Sequence, residues 1–109
     1  MTSTRREPSE LAFSIVVPTY NRAQLIERTL VSLLAQREPS FEIVVVDDGG
    51  NDNTETVIRR IADSRVSYHW KTNGERGAAR NYGTARSRGA YLNYFDSDDL
   101  AHPNHLAAA

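Results

Sequence analysis

Cysteine is absent from the 109 residues, which excludes disulfide bonds and thiolate metal sites. An excess of charge of one sign is lacking as well: 13 Lys and Arg stand against 14 Asp and Glu, for a net charge of −1. A chain so balanced has no overall attraction to nucleic acid or to an anionic membrane surface. No apolar run approaches the roughly 18–20 residues that span a bilayer. The polar opening Met1–Glu10 has no apolar core of the kind a signal peptide carries. These absences make a cytoplasmic location the expectation, with membrane contact peripheral at most. Two nucleotide signatures are also missing. No G-x-x-x-x-G-K-[ST] follows an apolar run, which argues against a P-loop, and no G-x-G-x-x-G follows the first one, which argues against a dinucleotide dehydrogenase.

What is present is ordinary in bulk and organised in order. Hydrophobic residues make up 39% and charged residues 25%, the composition of one globular domain. Residues 1–12 read as a disordered leader and residues 13–109 as the domain. Phe13–Val17 is continuously apolar and suits a strand covered on both faces, ended by Pro18. Ile26, Leu30, Leu33 and Leu34 fall on one helical face, so a helix is expected over about Ala23–Ala35, with Asn21 as its N-cap. Phe41–Val46 is the strongest strand, and Asp52 and Glu55 have capping-box spacing for the helix after it. Val66–Trp70 alternates and reads as a more exposed strand. A small-residue helix follows over Gly77–Ser87, then an apolar strand at Tyr91–Phe95. The order βαβαβαβ predicts a mostly parallel α/β sheet flanked by helices on both faces.

Chemistry gathers after three of the four strands. The first ends in Pro18-Thr19-Tyr20-Asn21, the second in Asp47-Asp48-Gly49, the fourth in Asp96-Ser97-Asp98-Asp99. A parallel sheet places these loops on one edge, where open α/β sheets bind ligands. Singly, each has a plain structural reading as packing, a turn or a helix cap. Together they favour a site. Asp96, Asp98 and Asp99 can converge on a hard cation, Mg²⁺ or Mn²⁺. Phosphate is the natural partner of such a metal, and Arg76 and Arg80 lie at the start of the third helix beside Gly74 and Gly77, where a helix N-terminus and guanidinium groups favour an anion. His102 and His105 read as surface histidines and are left out of the site.

Four segments, Ile15–Arg22, Glu42–Gly49, Gly77–Gly83 and Gly89–Asp99, resemble the family 2 glycosyltransferases of the GT-A fold in order and spacing. The resemblance covers nearly all of Phe13–Leu106. It implies the Rossmann-like nucleotide-binding half of that fold, a nucleotide-diphosphate sugar donor (a UDP-sugar first) and a divalent metal. It implies that Pro18, Thr19 and Tyr20 flank the nucleobase with Tyr20 stacked on it, that Asp48 or Asp47 hydrogen-bonds the base, and that Arg80 or Arg76 lies near the diphosphate. Asp96 would then sit near the ribose and Asp98 would bind the metal. Family members invert the anomeric carbon by direct displacement onto an acceptor hydroxyl. The family's catalytic base and acceptor region lie downstream of this motif, so no residue here is assigned as the base. The expectation is a truncated donor-binding portion, inactive alone and inclined to self-associate through an uncovered sheet edge. Two other classes fit strand-end acids: a Mg²⁺-dependent phosphoryl-transfer domain of the haloacid-dehalogenase or receiver type, and a non-catalytic nucleotide-binding fragment.

Overall fold

The computed structural model describes residues 12–36, 40–74, 77–89 and 91–95. Four strands, β1 (Phe13–Thr19), β2 (Phe41–Asp48), β3 (Val66–Lys71) and β4 (Tyr91–Tyr94), form one sheet in the order β3-β2-β1-β4. Every neighbouring pair is parallel. Three helices make the crossovers: α1 (Ala23–Leu34), α2 (Thr54–Ile61) and α3 (Ala78–Arg86). The strand order reverses direction at β1, which has β2 on one side and β4 on the other. That reversal is the switch point where doubly wound sheets open a crevice at their carboxyl ends.

The strand alternation of side chains divides the core in two. Ile15 and Val17 of β1 and Ile43 and Val45 of β2 face α1 and α2, burying Ile26, Leu30, Leu33, Val57 and Ile58 with them. Val16, Val44 and Val46 face the other way, against Ala79 and Tyr82 of α3. Both faces of β2 are covered, which is why its run from Phe41 to Asp47 is buried without a break. The small side chains of α3 let it lie close to the sheet. A Cβ at Gly83 would come within 2.5 Å of Val16 Cγ1 and 3.1 Å of Val46 Cγ2, so only glycine fits the contact. Among the described residues no helix is long and apolar enough to cross a membrane.

Local chemistry moves several expected boundaries. Pro18 lies inside β1, in register with Val46. Backbone groups alternate sides along a strand, so Pro18 faces the β4 side as Val16 does, beyond the last register pair there, Val16 with Tyr94. Its missing N–H costs no ladder bond with β4 at that point. Ala12 is already held to the sheet, because its N–H donates to the Ser40 carbonyl and its own carbonyl accepts from the Tyr91 N–H. Asn21 does not cap α1. It takes φ 51°, a left-handed conformation asparagine tolerates, and its side-chain oxygen accepts from the Asn51 N–H at 2.9 Å. The N-cap position is Arg22. Asp52 does not form the expected capping box either. Its Oδ1 accepts from the Thr54 N–H and hydroxyl, and its Oδ2 accepts from the Ala23 N–H at the start of α1. Glu55 instead pairs with Arg59 one turn on. Asp52 therefore ties the amino ends of α1 and α2 together. Burial opposes its ionisation, but the bonds from Thr54 and Ala23 outweigh that and hold its carboxyl below the usual range.

Candidate ligand site at the carboxyl edge

Register brings the strand-end residues into rows. Thr19 of β1 pairs with Asp47 of β2, which pairs with Trp70 of β3. The next row is Asp48 with Lys71. The two rows point to opposite faces of the sheet. Asp47 shares its face with Val45, toward α1 and α2, and Asp48 shares its face with Val46, toward α3.

Asp47 is buried and bonded through both oxygens. Its Oδ1 accepts from the Gly50 N–H at 2.9 Å and its Oδ2 from the Tyr68 hydroxyl at 2.6 Å. Burial, and then the Asp47 carboxylate it donates to, push the Tyr68 phenol well above its ordinary range. That keeps it a donor throughout the physiological range. The loop after β2 is further pinned by the Trp70 indole N–H, which donates to the Gly50 carbonyl at 3.0 Å. Asp47 thus shapes the turn, with one hydrogen bond on each of its oxygens.

Asp48 is different. Its Oδ1 accepts from Lys71 Nζ at 2.7 Å and from the Gly74 N–H at 3.2 Å, and its carbonyl accepts from Asn73 Nδ2 at 2.8 Å. These bonds fasten the start of the β3–α3 loop against the end of β2. Gly49, at φ 82°, makes the close approach possible, since a Cβ there would lie 2.6 Å from the Asn73 nitrogen. Oδ2 of Asp48 has no partner among the described residues.

Two further features mark the same edge. Thr19 is 4% exposed, yet its hydroxyl is the one buried side-chain polar atom without a partner among the described residues. Buried hydroxyls are rarely left unpaired without a reason. Tyr20, immediately after it, is 51% exposed, an aromatic ring turned out to solvent. Beside Tyr20 a cleft of about 460 Å³ is lined by Asn21, Arg22, Gln24, Asp52 and Asn53, at the amino ends of α1 and α2. Arg80, on α3, lies with its guanidinium carbon 5.5 Å from the Tyr94 ring centroid, and the Tyr94 and Thr84 hydroxyls are 2.7 Å apart. α3 therefore carries one of the two expected arginines to the β4 side of the switch point.

The structure brings Pro18, Thr19, Tyr20, Asp47 and Asp48 to one edge, with Arg80 on the helix covering its α3 face. Arg76, Asp96, Asp98 and Asp99 lie outside the described residues, so the expected metal motif has no geometry to report. Among the described residues no group of three or more His, Asp or Glu side chains is disposed to hold a metal ion. Lys71 was not singled out by the sequence. It reads there as the start of a loop, and only the register with Asp48 reveals it as the last residue of β3.

Comparison with known proteins identifies the family and the fold. The model of the family described as glycosyl transferase family 2 matches residues 14–109. An uncharacterized glycosyltransferase of Rickettsia typhi is 40% identical over 93 residues, covering 85% of this chain and 29% of the relative. One from Mycoplasma genitalium is 40% identical over 98 residues, covering 84% of this chain and 33% of the relative. Among solved structures, Staphylococcus aureus TarS in complex with UDP-GlcNAc superposes with a TM-score of 0.83 at 33% identity, over 90% of this chain and 30% of that one. The mannosyltransferase PcManGT of Pyrobaculum calidifontis, in complex with GDP-Man and Mn²⁺, gives 0.79 at 28% identity, over 94% of this chain and 34% of that one. The chain thus spans about a third of the length of these relatives.

Proposed function

The chain belongs to glycosyl transferase family 2, and on that premise we propose that its carboxyl edge is the donor half of a sugar-transfer site, taking a nucleoside-diphosphate sugar together with a divalent cation. The observation that carries the reading is the contrast within that edge. A buried Thr19 hydroxyl without a partner among the described residues, an exposed Tyr20 ring and a half-engaged Asp48 carboxylate lie at the ends of adjacent strands. Each is unfinished as a structural element and suited to a polar, planar ligand.

In this reading Tyr20 stacks on the base, with Pro18 and Thr19 beside it, and Asp48 accepts a hydrogen bond from the base. Asp47 holds the turn that presents Asp48. Arg80 and Arg76 pair with diphosphate oxygens in the fork geometry that guanidinium provides. Asp96 lies near the ribose, and Asp98 holds Mn²⁺ or Mg²⁺. The bound cation supplies neutralisation of the charge that builds on the departing diphosphate. The transfer is an inverting displacement: an acceptor hydroxyl oxygen bonds to the anomeric carbon as the bond from that carbon to the diphosphate oxygen breaks. A UDP-sugar is the first donor to test, since a relative's structure holds UDP-GlcNAc.

The test is a thermal-shift screen of nucleotide sugars with and without Mn²⁺, followed by calorimetry on Asp98→Ala. Donor binding is expected to depend on Mn²⁺ and to weaken at least about tenfold in the variant, which corresponds to about 1.4 kcal/mol. Equal affinity in the two proteins would overturn the metal assignment, and no stabilisation by any nucleotide sugar would overturn the reading as a whole.

A further inference from the structure

Among the described residues three arginines lie over aromatic rings. Two of them also hydrogen-bond to the chain itself. Arg65 sits 5.0 Å from the Phe41 ring centroid and donates to Asp63 and to the Leu34 carbonyl. Arg86 sits 3.4 Å from the Tyr82 centroid and donates to the Tyr82 carbonyl. Arg80 differs. Its guanidinium carbon is 5.5 Å from the Tyr94 centroid, and its side-chain N–H groups have no acceptor among the described residues. A ring attracts a cation through its face and takes up no N–H, so the five donors of the guanidinium fork remain open. Tyr94 is itself held in place. It is the last residue of β4, pairs with Val16 across the switch point, and so shares the α3 face of Val16. Its hydroxyl is 2.7 Å from that of Thr84, one turn after Arg80 on α3. Thr84 has one hydroxyl proton, which it gives to the Arg80 carbonyl at 2.8 Å. Tyr94 is therefore the donor to Thr84, and its ring lies beside the guanidinium of the residue whose backbone Thr84 braces.

From this arrangement we infer that Tyr94 is a positioning residue of the donor site, its ring holding the Arg80 guanidinium so that the N–H fork is free to pair with the diphosphate; the inference rests on the donor-binding reading above. A carboxylate in the place of the ring would also hold the arginine, but it would occupy the fork and neutralise the charge that an oxyanion needs. The ring does neither. A free arginine side chain carries about 2 kcal/mol of rotamer entropy, part of which is lost whenever it settles on a ligand. Contact with Tyr94 restricts the side chain before the ligand arrives, which lowers the cost of binding. The brace stands on β4 and α3, next to β1 where the strand order reverses, and so on regular elements of the fold. In this role Tyr94 acts through Arg80 and needs no contact with the nucleotide.

The experiment is calorimetric titration of the 109-residue chain with UDP, UMP, GDP and GMP, each with Mg²⁺, for the wild-type protein, Arg80→Met, Tyr94→Leu, Tyr94→Phe and the double variant Arg80→Met with Tyr94→Leu. Arg80→Met is expected to weaken the diphosphate at least about tenfold and the matching monophosphate less than about threefold. Tyr94→Leu should show the same split, with the diphosphate weakened about fivefold, or about 1 kcal/mol. Tyr94→Phe keeps the ring and should stay within about twofold of the wild type. The double variant should bind no more weakly than Arg80→Met alone, because a residue that acts only through Arg80 has nothing left to act on. Tyr94 is 44% exposed, and thermal unfolding checks that its variants are folded. Should leucine unfold the chain, Tyr94→Thr, also without a ring but a good strand former, takes its place. Unchanged diphosphate affinity in Tyr94→Leu, equal losses for diphosphate and monophosphate, a loss in Tyr94→Phe as large as in Tyr94→Leu, or additive losses in the double variant overturns the assignment of Tyr94 while leaving donor binding intact. Binding of neither UDP nor GDP by the wild-type protein overturns donor binding and this assignment together.

Discussion

Glu42 and Asp48 are carboxylates near opposite ends of β2, on the same face of the same strand, and they live under opposite regimes. Glu42 is closed. Its Oε2 accepts from the Ser14 hydroxyl and the Arg88 N–H, both at 2.6 Å, and its Oε1 accepts from the Arg88 guanidinium at 3.2–3.3 Å. The Ser14 oxygen in turn accepts from the Gly89 N–H at 2.6 Å. That network binds β1, β2 and the segment leading into β4 at the amino edge of the sheet. Asp48 is open: one oxygen anchors a loop, the other awaits a partner. At the same edge, in the row of Asp47, lies the Thr19 hydroxyl, which has no partner among the described residues, followed by the exposed ring of Tyr20. A polar group inside a fold is stabilising when every bond is made and costly when one is missing. Satisfied polar groups at the amino edge therefore mark folding, and the unfinished ones at the carboxyl edge are where the proposed donor site lies.

The comparison can be broken most sharply at Glu42. Glu42→Ala strands the Arg88 N–H and removes the partner of Ser14, and is expected to cost about 2–3 kcal/mol in urea unfolding. Nucleotide affinity of the folded protein should stay within about threefold, under 0.7 kcal/mol. A large loss of affinity with little loss of stability would reverse the roles of the two edges. Asp48→Ala is the counterpart. It is expected to weaken nucleotide binding at least about tenfold, or 1.4 kcal/mol, and to cost about 1–3 kcal/mol of stability as well, because it strands the Lys71 ammonium and the Gly74 N–H. Calorimetry and urea unfolding on the same preparation check both numbers.

A smaller effect sharpens the amino edge by pH. Asp63, just before β3, accepts from the Arg65 side chain and N–H, and these hold its carboxyl down to about 2, well below its ordinary value of 3.8. A carboxyl depressed in the folded state contributes stability above its unfolded pKa and loses it as pH falls toward the folded one. The contribution should be full above about pH 4 and gone near pH 2. The pair is partly exposed, so its worth is about 0.5–1 kcal/mol. Arg65→Gln should flatten the acid limb of the stability curve in that window, as followed by unfolding at stepped pH. An unchanged acid limb would show that the pair contributes nothing.

Much of this organisation is legible in the sequence, for a physical reason. Strands covered on both faces must be apolar throughout, and Phe13–Val17 and Phe41–Val46 announce themselves that way. Helical periodicity likewise exposes α1 through Ile26, Leu30 and Leu33. The strand ends could be named as a site because a parallel sheet puts them on one edge whatever the strand order. What stayed hidden depends on register and on long-range bonds. Asn21 and Asp52 look like local caps, and each instead reaches about thirty residues along the chain, to Asn51 and to Ala23. Local spacing cannot distinguish a cap from such a crosslink. Asp47 and Asp48 look alike in sequence. The pleat turns one toward Tyr68 and Gly50 and the other toward Lys71, and only pairing with β3 assigns their roles. Lys71 was hidden for the same reason, since its meaning lies entirely in facing Asp48.

The division of labour between the two edges is tested most directly by mapping amide chemical shifts as UDP and Mg²⁺ are added to the isotopically labelled chain. The account predicts that the shifts of Thr19, Tyr20, Asp48, Lys71 and Gly74 move together with one dissociation constant, while Ser14, Glu42, Arg88 and Gly89 stay in place. Shifts centred on Ser14 and Glu42, or none at the carboxyl edge at saturating nucleotide, would contradict it.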